Sequence, residues 1–315
     1  MGKKRSREAA NKVHDENRMD DSDSGEDFDV VNVEFEWFNF DSEIDFHGTK
    51  TLLRQLLDVD AALFDVSGLA DCILAQSTIG STVKVDGKAN DAYALLTALS
   101  LREQRENKAV AQLTQYLADK ATTAAETNDK LAPLVPLLKD QSSGPSEAGK
   151  PHIGLILSER LINMPAEIAP PLYTMLIDEV EAAVEDGEPY AFTHYLILSK
   201  TYEEVQSDLG GMMVIDEDDD DNESGKSKKR KKAKTSGASS SSSEPFYYFH
   251  PEDEVLRKHA VAAGTFPYTK IDESVTDSKR AFQELGVKSQ GLLVLIEADK
   301  LPAAIEAVSK YVQSA

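Results

Sequence analysis

A polar stretch at residues 207–244 divides this chain of 315 residues between two segments with periodic apolar residues. The stretch runs through an acidic block, a basic block and a serine tract, and residues 1–27 have, after the initial Met1, only Val13 and Met19 as large apolar side chains. Neither composition can bury enough apolar surface to fold. We predict that both stretches are disordered, and that 28–206 and 245–315 form the folded part.

Strand periodicity occurs on both sides of the insertion. Alternating apolar residues at 28–40 predict a first strand, and short apolar runs predict further strands at 152–158, 191–202, 246–249 and 292–296. Strands before and after the insertion need partners that cover their faces. The sequence therefore predicts one α/β domain with a mixed sheet, interrupted by the insertion.

Helical spacing of apolar residues lies between these strands. It predicts helices at 49–57, 61–75, 106–139, 172–187 and 301–312, with Pro133 and Pro136 breaking the third. Before the fourth helix, Pro165, Pro170 and Pro171 are expected to permit only interrupted turns. The Asp-Gly pair at 86–87 predicts a tight turn between strands at 79–85 and 93–101.

The formal net charge is −22, and residues 1–27 and 207–244 carry only −2 each. The remaining 250 residues therefore hold −18. This balance argues against direct binding of nucleic acid through phosphate neutralisation. A fixed acidic surface attracts and orients a basic partner, so we expect such a partner; the alternative is that the charge only keeps the protein soluble.

The sequence has no recognisable catalytic motif. Phosphate-binding glycine loops, the Gly-x-Ser-x-Gly elbow and His-Glu-x-x-His are all missing, and the histidines lack the spacing of metal ligands. The lone Cys72 is interpreted as a core residue, and His194 as a hydrogen-bonded one. No apolar run reaches the ~18 residues of a membrane-spanning helix. We predict a protein without enzymatic activity, cofactor, metal or membrane contact.

A compact basic block within the insertion is typical of a nuclear-import signal. Its residues are Lys228, Lys229, Arg230, Lys231 and Lys232. The alternative is a solvated run of charges that pairs with the acidic block at 216–221. We predict that an import receptor binds the block and that the protein is nuclear.

The stretch at 154–173, GLILSERLINMPAEIAPPLY, resembles the BCCIP family. Matching stretches lie at 33–36, 79–81, 195–201 and 244–248, so the resemblance covers roughly residues 28–315. It implies an acetyltransferase-type fold that has lost its coenzyme site. Consistent with that loss, the Gln/Arg-x-x-Gly-x-Gly/Ala phosphate loop of acetyltransferases is absent from the sequence.

The resemblance further implies a nuclear chaperone, expected as a monomer, for a basic ribosomal protein of the large subunit. Such a protein supports ribosome biogenesis and nuclear export of cargo, and shuttles to the cytoplasm. Two alternatives remain open: an adaptor for cell-cycle and DNA-repair proteins, and a cryptic acyltransferase suggested only by analogy of fold.

Two groups of residues are candidates for function. The family stretch contributes Ser158, Glu159, Arg160, Asn163 and Pro165, which are interpreted as structural in the first place, with Arg160 either paired with Glu159 or capping a helix. Candidate acids facing the client are Asp178, Glu179, Glu181, Glu185 and Asp186, with the run at 252–254 as a second cluster. The alternative for each acid is the wet face of a helix.

Overall fold

The computed structural model describes residues 34–127, 129–141, 149–204, 246–270 and 287–314. Its strands are β1 (Phe35–Asn39), β2 (Ser81–Val85), β3 (Ala94–Ser100), β4 (Ile153–Arg160), β5 (His194–Glu204), β6 (Phe246–Tyr248), β7 (Ala262–Phe266) and β8 (Val287–Glu297). Its helices are α1 (Phe46–Leu57), α2 (Val66–Leu74), α3 (Lys108–Thr127), α4 (Leu134–Gln141), α5 (Ala169–Glu185), α6 (Glu252–Lys258) and α7 (Leu301–Ser314). The N-terminal tail predicted at 1–27 and the insertion predicted at 207–244 lie outside the described residues.

The strands form a single mixed sheet, as predicted. In the described part of the chain its order is β1-β2-β3-β4-β5-β8-β7, and β6 pairs with β5 alongside this path. Among the described strands only β4 and β5 pair in parallel, and every other pair is antiparallel. Strands from before and after the insertion are neighbours in one sheet, because β5 pairs with β8 over eleven residues.

Helices cover both faces of the sheet. Leu155 and Leu157 of β4 belong to a core with α1, α2, α3 and α4, whereas Ile156 belongs to a core with α5, α6 and α7. This alternation follows from the two-residue period of a strand. Because β4 and β5 have helices on both faces, they read as continuous apolar runs in the sequence.

Most predicted elements are confirmed, with corrections at four places. Pro136 does not break a helix; it lies in the first turn of α4, where its missing N–H costs no helical hydrogen bond. Pro170 and Pro171 do not interrupt the helix that follows; they lie in the first turn of α5, where the missing N–H has no helical partner to lose. Helix α6 and strand β7 were not predicted, because α6 is only seven residues long and β7 reads Ala-Ala-Gly-Thr-Phe. The predicted helix at 61–75 begins as a 3₁₀ turn and becomes α-helical only at Val66.

Candidate functional site

The parallel strands β4 and β5 separate near their C-terminal ends. Their pairing runs from Ile153 and His194 to Leu157 and Leu198 and then stops. Beyond this point β6 pairs with β5, with Thr201 opposite Tyr248. The chain then turns through His250 into α6, so the gap that opens between the strands is occupied by β6 and the start of α6.

A buried cluster of charged side chains lies at this gap. Glu159 of β4 is 2% exposed, and one of its oxygens lies 2.8 Å from Lys200 Nζ. The other oxygen lies 3.0 Å from His250 Nε2 and accepts a hydrogen bond of 2.9 Å from the Gln55 amide of α1. Lys200 Nζ also donates to the backbone carbonyl of Gln55 at 2.8 Å. The carboxylate thus links α1, β4, β5 and the segment before α6.

On the other face of the sheet, Arg160 forms a two-pronged ion pair with Glu252 of α6. Arg160 Nη1 donates to Oε1 of Glu252, and Nη2 donates to Oε2 at 3.0 Å. Asp253, the next residue of α6, accepts a hydrogen bond from the Ser199 hydroxyl of β5. Since β4 and β5 no longer pair here, these contacts fasten α6 to both strands.

The cluster shifts the pKa values of its acids in opposite directions. Burial would raise the pKa of Glu159, but the hydrogen bond from His250 and the charge of Lys200 outweigh it and lower the pKa to about 2. Burial dominates at Asp253 and raises its pKa to about 7, against the opposing charge of His250. Burial also opposes protonation of His250, yet the hydrogen bond to Glu159 raises its pKa overall.

These contacts place the residues of the family stretch in the framework of the domain. Glu159 and Arg160 are buried and ion-paired, and Arg160 pairs with Glu252 rather than Glu159. Asn163 is exposed, and Pro165 precedes a short 3₁₀ turn that leads into α5. Glu159 and Arg160 lie on opposite faces of β4 with different partners, and Asn163 lies at the surface. These buried contacts join β4, β5 and α6, which agrees with a structural role for Glu159 and Arg160.

Sequence reasoning missed the other members of the cluster. Lys200, His250, Ser199 and Gln55 all belong to it. One signal was available: Lys200 follows Leu196 and Leu198 at a spacing of two in an apolar strand, so it must face the same buried layer. A lysine in that position requires a buried carboxylate as partner.

The charged side chains of α5 are all acidic. Between residues 161 and 193 there is no Lys, Arg or His. Asp178, Glu181, Glu185 and Asp186 are exposed, and among the described residues none of the four has an ion-pair partner. We call these four residues the α5 acidic face.

The charges of the α5 acidic face oppose the stability of the helix itself. Asp178, Glu181 and Glu185 follow one another at spacings of three and four, where like charges repel. Glu185 and Asp186 lie at the C-terminal end, where the helix dipole favours positive charge. Local physics does not explain this arrangement, and sites that break local rules are often functional.

The remaining candidate acids are engaged inside the molecule. Glu179 accepts hydrogen bonds from the Gly80 backbone N–H at 2.8 Å and from the Ser81 hydroxyl at 3.2 Å, so it anchors the start of β2 to α5. Glu252 and Asp253, proposed from the sequence as a second exposed cluster, are 1% and 2% exposed. That prediction is wrong, because both side chains pair within the buried cluster described above.

The other candidates are placed as follows. Cys72 is buried in the core, as interpreted from the sequence, and burial raises its pKa to about 11. His194 is half-buried at the start of β5, within 2.8 Å of the Thr193 hydroxyl. The basic block at 228–232 lies outside the described residues. In the described ranges, no group of His, Cys, Asp or Glu has a metal-binding arrangement and no helix could span a membrane.

Comparison with known protein families shows which family this chain belongs to. The family model described as BCCIP matches residues 30–256, which includes the buried cluster and α5. The chain belongs to the BCCIP family. It is 57% identical to Protein BCP1 of Gibberella zeae over the full length of both chains, and 51% identical to Protein bcp-1 of Neurospora crassa, again over both full lengths.

More distant relatives match in sequence and in structure. Protein bcp1 of Schizosaccharomyces pombe is 39% identical over 86% of each chain. The crystal structure of BCP1 from Saccharomyces cerevisiae has a TM-score of 0.56, covers 90% of this chain and 93% of its own, and is 23% identical. At that identity, the BCCIP-family structure supports the shared fold alone.

Proposed function

We propose that this protein is a nuclear chaperone and export adaptor without enzymatic activity, and that it binds a basic client on the α5 acidic face. The observation that carries the proposal is that face itself: four exposed acids, without ion-pair partners among the described residues, on a segment of 33 residues that lacks any basic side chain. Charge of one sign on a rigid helix attracts and orients a partner of opposite charge.

The resemblance to the BCCIP family supports a ribosomal protein of the large subunit as the client. A ribosomal protein carries many Lys and Arg residues for contact with RNA, and these are uncovered before assembly. An acidic helix that occupies this surface suppresses nonspecific contacts with nucleic acid. Ribosomal RNA, with its higher charge density, then displaces the chaperone on assembly.

The basic block at 228–232 supports a nuclear location, because an import receptor recognises such a block. It stands in a chain that is otherwise strongly acidic, so its function is separable from that of the α5 acidic face. Fusion of residues 222–236 to a reporter tests the address: nuclear accumulation supports it, and a reporter that stays in the cytoplasm contradicts it.

The occupied gap between β4 and β5 favours a binding role over acyl transfer. A separated pair of parallel strands would offer a cleft for a cofactor, but here β6, His250 and the start of α6 occupy it. The charged side chains that could serve in catalysis are buried and paired with one another. A direct check is calorimetry with acetyl-CoA, for which we expect no binding heat.

Titration of the full chain with a basic peptide at two salt concentrations tests the electrostatic proposal. The Debye screening length shortens from about 10 Å at 0.1 M salt to about 3 Å at 1 M salt, so the affinity for the peptide should fall steeply between these two concentrations. A variant with Asp178→Asn, Glu181→Gln, Glu185→Gln and Asp186→Asn should bind at least roughly tenfold more weakly.

The matched control carries the same loss of charge elsewhere. Exposed acids next to and on α3 serve this purpose: Glu103→Gln, Glu106→Gln, Asp119→Asn and Glu126→Gln. If the control loses as much affinity as the α5 variant, net charge alone explains binding and the α5 acidic face is not the site.

A further inference from the structure

A small group of aromatic side chains, two exposed and one half-buried, lies where β5 and β6 pair. We call Tyr202, Tyr247 and Phe249 the aromatic patch. Tyr202 stacks on Tyr247 with ring centroids 5.2 Å apart and an interplanar angle of 22°, and it meets Phe249 edge-on at 5.2 Å. Tyr247 and Phe249 are each 40% exposed, which makes them two of the few large apolar side chains at the surface of the described residues.

Aromatic rings on both sides of β6 already contact cations. Lys200 Nζ lies 5.0 Å from the Phe249 centroid, and Arg257 lies 4.9 Å from the centroid of Phe246 on the opposite side of β6. Such contacts are favourable because the face of an aromatic ring is electron-rich. Lys200 is itself neutralised by Glu159 at 2.8 Å, so the patch does not repel a further cation.

We propose that the aromatic patch binds arginine side chains of the basic client. This inference rests on the proposed function, since it assigns a second contact surface to the same partner. Residues 28–206 and 245–315 carry a charge of −18, which draws a basic segment to the protein without distinguishing its residues. Exposed ring faces make the distinction, because a planar guanidinium stacks on an aromatic ring, whereas the strongly hydrated ammonium of lysine stays in water.

The test compares two peptides of equal length and charge, an Arg-Gly repeat and a Lys-Gly repeat, titrated against the full chain. We expect the Arg-Gly peptide to bind more tightly, by roughly two- to fivefold for each ring engaged. Replacement of both exposed rings, Tyr247→Leu with Phe249→Leu, should make the two affinities equal and leave that of the Lys-Gly peptide unchanged. Leucine retains apolar bulk, so this result would assign the preference to the rings.

Two controls complete the test. Tyr247→Phe retains the ring and should retain the arginine preference, and Val261→Ala, at an exposed apolar residue next to β7, should do the same. If the leucine variant still prefers arginine, or if the unaltered chain binds both peptides equally, the aromatic patch is not the site. Even then, salt-sensitive binding of both peptides would still support the proposed function. If neither peptide binds, both proposals fail.

Discussion

Removal of one partner of the Arg160–Glu252 pair should strongly destabilise the domain. Arg160 is 8% exposed and Glu252 1% exposed, and their two hydrogen bonds fasten α6 to β4. Arg160→Met leaves the Glu252 carboxylate buried without its counter-charge. Losses of this kind cost about 3–5 kcal/mol. For a folded part of this size, that corresponds to a fall in melting temperature of roughly 6–20 °C.

The double variant Arg160→Met with Glu252→Met should recover much of the loss. Both charges are removed together, so the cluster keeps its charge balance and an apolar pair fills the space. A double-mutant cycle by thermal unfolding should give a coupling energy of at least about 2 kcal/mol. Lys258→Met serves as control, because Lys258 pairs with Glu254 on the exposed face of the same helix and its loss should leave the melting temperature unchanged.

Either of two results would refute this account of the cluster. The first is a single variant with an unchanged melting temperature, which would mean that the pair is not closed in solution. The second is a double variant whose loss equals the sum of the two single losses, which would mean that Arg160 and Glu252 stabilise the fold independently.

Three further predictions concern single residues. Because the folded state holds the pKa of Asp253 at about 7, this group costs increasing stability as pH rises from about 4 to about 7; the stability of Asp253→Asn relative to the unaltered chain should rise over that window in urea titrations. Glu179→Ala should lower the free energy of unfolding by about 1–3 kcal/mol in urea yet leave affinity for a basic peptide unchanged, since Glu179 holds Gly80 rather than a partner. Burial should keep the Cys72 thiol from reacting with iodoacetamide at pH 8 until the protein is unfolded, and rapid labelling of the native protein would contradict its placement in the core.

The apolar periodicities were sufficient to predict the mixed sheet and most of its elements. Alternation in β1 and the helical spacing of leucines in α1 are local signals, and tertiary structure reinforced them. Helix α6 gave no such signal, because its acids Glu252 and Asp253 look like a solvated helix face. Only the long-range contacts with Arg160 and Ser199 make them buried, and partners so far apart in sequence cannot be paired from one sequence.

The candidate acids of α5 show a second limit of prediction from sequence, which concerns exposed rather than buried side chains. Asp178 and Glu179 are neighbours with the same chemistry, and no local pattern distinguishes them. The rotation of α5 turns Glu179 toward the start of β2 and Asp178 toward solvent. Which acids are free for a partner is therefore a property of helix packing, whereas the absence of basic residues along 161–193 is visible in the sequence itself.

Purification of the tagged full chain from a fungal nuclear extract tests the central claim most directly. A basic ribosomal protein of the large subunit should copurify, should elute as salt is raised, and should be lost when the α5 acidic face is neutralised but not when the control acids are. Recovery of cell-cycle or repair proteins without a ribosomal protein, or retention of the client by the neutralised variant, would contradict the claim.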